Sequence, residues 1–151
     1  MNIKDILSPS AVLVRTDMSG KKNVLDVLSA AAAAKTGLDK QVILDALIER
    51  ERLGTTGVGR GVALPHTRLG SLKKIFCAFI KMNPVDFDAV DEKPVDLAFL
   101  LLVPEKDGAD HLKALAHLSR LLRNEKVTES LRQAESPELL FKTIIENDTD
   151  E

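Results

Sequence analysis

Two predominantly apolar runs, at positions 74–81 and 95–103, constrain this chain more than any other feature. Each has the length of a strand and is bounded by Pro or Gly. Because neither alternates polar with apolar, each strand needs cover on both faces, which calls for helices on either side of a sheet. Asn83-Pro84 reads as a turn and Asp91-Glu92-Lys93-Pro94 as a polar connection. A shorter strand, Val12-Leu13-Val14, is expected after a Ser8-Pro9 turn. The flanks read as helices. Ser19 is the expected cap of a first helix carrying Val24, Leu25, Leu28 and Ala31, with Gly37 as its stop. Its five consecutive alanines, 30–34, suit close packing against a neighbour. Asp39 caps a second helix with the stripe Val42, Ile43, Ala46, Leu47 and Leu53, ended by Gly54. Beyond Pro104 helices are expected over 109–124, 128–134 and 137–147, the last capped by Ser136 with Pro137 at its first position. With no repeat and no linker, the chain reads as a single α/β domain spanning 1–151, its acidic tail (about 147–151) frayed.

Composition removes several classes of function. Five Phe, no Trp and no Tyr leave an aliphatic core and no aromatic platform on which nucleobases stack. A net charge of −2, from 21 basic and 23 acidic residues, gives no basic field for nucleic acid or an anionic membrane. Cys77 is the single cysteine. It forms no internal disulfide, and its apolar neighbours make it an inert core thiol suited to a reducing compartment. The apolar stretch 97–103 is too short to span a bilayer, and Asp5 interrupts the N-terminal apolar residues. A cytoplasmic protein is expected.

Chemistry points to histidine. The chain has three: His66, His111 and His117. His66 follows Pro65 at the end of Val62-Ala63-Leu64, just past the glycine-rich segment 54–61. Proline restricts the backbone there, and glycines let main-chain N–H groups approach an anion. Neutral imidazole is a competent nucleophile towards a phosphoryl group, and the labile P–N bond suits a carrier. Taken singly, a histidine so placed is more often an exposed loop residue with no role. His111 falls in the first turn of its helix, where the dipole favours anions, and could face His66; a surface histidine is the plainer reading. His117, about 120° further round the helix, is left out of the site. The spacings give no metal pair, so no metal is expected. Lys followed by Ser or Thr is missing from the glycine segment, and a helix precedes it while a strand follows. It therefore fits neither a P-loop nor a dinucleotide fingerprint, and no cofactor is expected. Arg50, Arg52, Arg60 and Arg68 could pair with phosphate oxygens, although each alone is more often a solvated charge.

The stretch from Glu51 through Gly59, Val62, Ala63, Leu64 and Pro65 to His66 resembles the IIA component of the bacterial phosphoenolpyruvate-dependent phosphotransferase system, fructose/mannitol family, most of all its nitrogen-regulatory type. The resemblance extends over the whole order of elements. It implies the mannitol-type IIA fold, a central mixed β-sheet flanked by helices on both faces. It further implies a phosphotransferase that forms a phosphohistidine, with His66 as phosphoacceptor through Nε2, Arg50 holding the phosphoryl group and its histidine, and His111 as the second active-site histidine. The donor would be a histidine-phosphorylated carrier protein. The recipients would be regulated proteins such as kinases or ion-transport components or, in the alternative, the IIB domain of a sugar transporter. Thr67 stands where the family usually has Gly or another small residue.

Overall fold

The two apolar runs pair with each other at the centre of a six-stranded mixed sheet. A computed structural model describes residues 2–106 and 108–148. After a 3-10 turn at Ile3–Asp5 come β1 (Leu7–Val14), α1 (Lys21–Thr36), α2 (Lys40–Arg52), β2 (Gly57–Gly59), β3 (Val62–Ala63) and β4 (His66–Leu69). The chain continues through β5 (Phe76–Val85), β6 (Val95–Pro104), α3 (Asp110–Arg123), α4 (Glu125–Gln133) and α5 (Pro137–Glu146). The sheet order is β1-β5-β6-β3-β2, with β4 also on β6. β5 and β6 are antiparallel, whereas β1 runs parallel to β5 and both β3 and β4 run parallel to β6. Consecutive residues 77–80 of β5 and 97–100 of β6 are all fully buried, the burial expected when both faces are covered. One helical layer is α1 against α2, packed on β5 and β4; the other is α3, α4 and α5, packed on β6 and β1. Phe79 and Phe99, opposite one another in the ladder, bring their ring centroids to 4.7 Å at 56°, a tilted contact worth about 0.5–1.5 kcal/mol beyond burial.

Local signals place most helix ends. Asp39 caps α2 by accepting from Gln41 N, and Ser136 caps α5 by accepting from Leu139 N. Gly37 ends α1 in the left-handed conformation, φ 76°. Other expectations are corrected. Ser8-Pro9 is not a turn but part of edge strand β1, where the register shifts between Leu7 and Val12 and Ser8, Pro9 and Ser10 are exposed. An edge bulge tolerates a proline that a central strand would not. Asn83-Pro84 likewise lies within β5, at its register shift before Val85, and the Asn83 amide pairs with Met18 N and O. Gly20, not Ser19, is the N-cap of α1. In α2 the buried stripe is Ile43, Leu44 and Leu47, while Val42 and Leu53 are exposed. Of the tail expected to fray, Asp148 is anchored: its carboxylate accepts from Ile3 N at 2.7 Å and pairs with the buried His117. Residues 149–151 lie outside the described residues.

Two polar clamps hold the C-terminal helices to the sheet. Lys81 of β5 donates to the Arg132 and Ala134 carbonyls at 2.6 and 2.5 Å, satisfying the electronegative end of α4. From that same turn Arg132 pairs with Asp96 at 2.9 Å and donates to the Arg60 carbonyl at 2.8 Å. Arg60 and Gly61 have φ of 59° and 78° and form the two-residue loop between β2 and β3, in which Gly59 pairs with Val62. Positive φ at both central residues is the geometry that suits a twisted hairpin. At Gly61 a Cβ would lie 2.5 Å from Arg132 Nη2 and 2.9 Å from Asp96 Oδ1. Gly61→Ala is therefore expected to destabilise the protein by about 1–3 kcal/mol. Urea unfolding would show it as a lower midpoint at unchanged slope; a midpoint equal to the parent's would contradict the account.

Candidate functional site

β3 and β4 are two pieces of one strand. Val62 and Ala63 pair with Leu97 and Ala98, His66 with Leu101, and the register runs unbroken across the gap. The interruption is Leu64-Pro65. Pro65 still accepts from Leu101 N at 3.0 Å but has no N–H of its own to give. Leu64 turns its N–H to the Thr56 carbonyl, at 2.9 Å. Its carbonyl meets His66 Nδ1 at 2.7 Å. A carbonyl oxygen only accepts, so Nδ1 carries the proton and the lone pair of the neutral ring resides on Nε2.

His66 is half-buried. It lines a cavity of about 350 Å³ with Arg50, Thr67, Arg68, Leu101, Val103, His111, Leu112 and Leu115. Burial lowers its pKa below the ordinary imidazole value. The positive end of Arg50 and the His111 ring push the same way, while the Leu64 hydrogen bond and the Glu51 carboxylate oppose. The ring is thus held neutral at neutral pH.

Arg50 sits at the C-terminal end of α2, its Nη1 donating to the Gly54 carbonyl at 2.9 Å. His111 is the second residue of α3. Its Nδ1 reaches the Gly108 carbonyl at 2.8 Å and its Nε2 lies 3.0 Å from Arg68 Nη2. The same Nη2 stands 2.9 Å from Nδ1, so the guanidinium abuts the edge of the ring between its two nitrogens. Arg68 is further fixed by a 3.0 Å bond to the Glu105 carbonyl. All three residues singled out in the sequence therefore line one cavity, and the wall adds two guanidinium groups to two imidazoles. Such a site can accept an anion, and its neutral Nε2 can attack an electrophilic phosphorus.

Of the four arginines near the glycine segment, Arg50 and Arg68 line the cavity. Arg52 pairs with Glu49 and Arg60 with Glu125, both on exposed surface. The signal that separates Arg68 from the others is strand alternation. Once β4 starts at His66, residues 66 and 68 share a face, and both belong to the cavity wall. The glycine segment itself does something other than expected. No glycine of 54–61 lines the cavity; the segment's conformational freedom serves the hairpin. His117 stays outside, bonded to Asp148. Cys77 is fully buried, its thiol pKa pushed up by that burial. Among the described residues no group of three or more His, Cys, Asp or Glu is arranged to hold a metal ion.

The chain is similar to known proteins over nearly its whole length. A nitrogen regulatory protein of Bradyrhizobium diazoefficiens is 44% identical over 145 residues, covering 95% of each chain. The crystal structure of nitrogen regulatory protein IIA-Ntr from Neisseria meningitidis superposes with a TM-score of 0.89 at 35% identity, over 94% of this chain and 98% of that one. The crystal structure of mannitol IIA from Escherichia coli, 18% identical, shares the fold with a TM-score of 0.75 over 91% of this chain and 98% of that one. Residues 5–147 match the family described as phosphoenolpyruvate-dependent sugar phosphotransferase system, EIIA 2, and to that family the chain belongs.

Proposed function

We propose that the protein is a histidine phosphocarrier that takes a phosphoryl group on His66 Nε2 from a histidine-phosphorylated carrier protein. The observation that carries this reading is the 2.7 Å bond between His66 Nδ1 and the Leu64 carbonyl, which leaves Nε2 unprotonated in a cavity walled by Arg50, Arg68 and His111. In the transfer, the lone pair on Nε2 forms a bond to phosphorus as the bond between phosphorus and the donor's ring nitrogen breaks. The donor imidazole leaves with that electron pair. Nδ1 keeps its proton against Leu64, so the step needs no general acid. Catalysis is positioning and charge stabilisation. Arg50, Arg68 and His111 would receive the equatorial oxygens, and the α3 N-terminus, whose Ala109 cap offers no side-chain acceptor, adds the favourable end of its dipole.

Regulation is the main role in this reading. A phosphoryl group adds about two negative charges to one surface cavity, enough to make or abolish a docking contact with a regulated protein such as a kinase or an ion-transport component. Similarity over 95% of each chain, at 44% identity, to a nitrogen regulatory protein supports this assignment. The family's description as part of a sugar phosphotransferase system supports the alternative, delivery to a fructose/mannitol-type IIB domain. Mixing the phosphorylated protein with sugar-specific IIB domains separates the two: rapid transfer means transport, whereas retention with phosphorylation-dependent capture of a regulator means signalling. No helix among the described residues is long and apolar enough to cross a membrane, and the cytoplasm, where such a donor works, is the proposed compartment.

Reconstituted phosphorylation from phosphoenolpyruvate, followed by mapping of the modified residue, tests the assignment. His66→Ala is expected to abolish acid-labile label, and retention of label on that variant would end it. His111→Ala removes one charge-assisted contact and should slow labelling about 10- to 100-fold.

The depressed pKa of His66 sets the pH dependence. Above 6.5, its ordinary value, the ring is neutral both in place and in an unfolded chain. Between 6.5 and the lower folded value it is neutral only when folded. Acceptor activity therefore persists below 6.5 and declines only as pH passes through the folded pKa. Folding stability declines over that same window, because the unfolded chain binds the proton more readily. Titration of the His66 ring by NMR should give a midpoint under 6.5; one at or above it contradicts the account.

A further inference from the structure

Glu51 is a buried carboxylate that the transfer step does not use. Its side chain is 7% exposed, and it occupies the last turn of α2, where the helix dipole disfavours negative charge. Burying a charge costs several kcal/mol unless it is paired and hydrogen-bonded. Here it is both. Lys21 Nζ lies 2.6 Å from Oε2, Thr56 N donates to Oε2 at 3.2 Å, and the Thr56 hydroxyl donates to Oε1. Lys21 also stands 5.1 Å from the centre of the Phe87 ring, a cation–π contact that holds the ammonium in place.

What this arrangement grips is Thr56, and Thr56 leads to the nucleophile. Its carbonyl takes the Leu64 N–H at 2.9 Å, and the Leu64 carbonyl takes His66 Nδ1–H at 2.7 Å. At its other end Glu51 accepts from Gly54 N through its main-chain carbonyl, at 3.1 Å, and the Gly54 carbonyl is the acceptor for Arg50 Nη1. One residue thus ties both the imidazole and a cavity arginine to the end of α2.

We infer that Glu51 is a positioning residue for His66: its carboxylate, neutralised by Lys21, fixes Thr56 so that the Leu64 carbonyl is presented to Nδ1 and the ring is locked in the tautomer with Nε2 unprotonated. The inference rests on the phosphocarrier reading for its purpose but not for its test. The tautomer is read by ¹⁵N NMR of the imidazole at neutral pH, with no donor present. Wild type should show Nδ1–H and unprotonated Nε2. Glu51→Ala should show a mixture, with the Nε2–H form gaining, and phosphorylation from the donor should slow about tenfold, the low end for loss of an outer-shell partner. Glu51→Gln, whose carboxamide accepts from Thr56 N–H and donates to the hydroxyl, should recover most of both.

A merely structural glutamate would lower Tm and leave the tautomer alone, so a folded Glu51→Ala protein with the wild-type tautomer overturns the inference. If Glu51→Ala does not fold, Thr56→Val deletes the hydroxyl arm while sparing the Lys21 pair. A smaller shift in the same direction supports the inference, and no shift overturns it. Should wild type take no phosphate on His66 while Glu51→Ala still shifts the tautomer, the positioning link stands and the carrier reading fails.

Discussion

The site depends on a carbonyl that has lost its strand partner. Along β6 the hydrogen-bond edge is filled by β3 and then β4 in continuous register. On the far side of that broken strand, β2 pairs only as far as Ala63, opposite Gly57. Leu64 thus has its N–H and carbonyl directed away from β6 at the point where the sheet runs out. A buried peptide group must find partners. Thr56 supplies one through its main-chain carbonyl, and the imidazole of the residue after Pro65 supplies the other. Satisfying the backbone and fixing the histidine tautomer are one event.

Around that bond the fold places polar side chains drawn from separate elements. Arg50 comes from the end of α2, Arg68 from β4 and His111 from the start of α3, so the cavity exists only when both helical layers are docked on the sheet. The clamps at Lys81 and Arg132 act on the same assembly, tying α4 to β5 and to the hairpin that leads into β3. Each of these tertiary bonds satisfies a carbonyl or carboxylate at the end of a helix, strand or hairpin.

How far the sequence foretold this depends on the range of the forces involved. The central strands, the caps Asp39 and Ser136 and the stop at Gly37 were legible because composition and neighbouring residues decide them. Ser8-Pro9 and Asn83-Pro84 look like turns in sequence but lie in strands, since a proline's meaning depends on whether its strand is at an edge or shifts register. Val42 and Leu53 fall on the apolar stripe of α2 yet are exposed, because only docking settles which flank of an amphipathic helix is covered. The glycine segment invited a phosphate-cradling interpretation that the hairpin geometry replaces. Arg68 stood among four equivalent arginines until the start of β4 fixed its face, and its contact with His111 spans 43 positions of sequence, beyond any local signal.

The alignment of β4 with β6 has a dynamic consequence. β6 is the most enclosed strand of the molecule, its residues 97–100 fully buried, and amides in such a ladder exchange with solvent only when the whole domain opens. A nucleophile carried on its immediate neighbour shares that rigidity. Whatever becomes attached to His66 therefore meets a backbone with little freedom to rearrange, and the responsive parts are the arginine side chains and the exposed rim at Leu112. In the proposed carrier, a phosphoryl group on His66 would act through surface potential and contour and not through a remodelled chain.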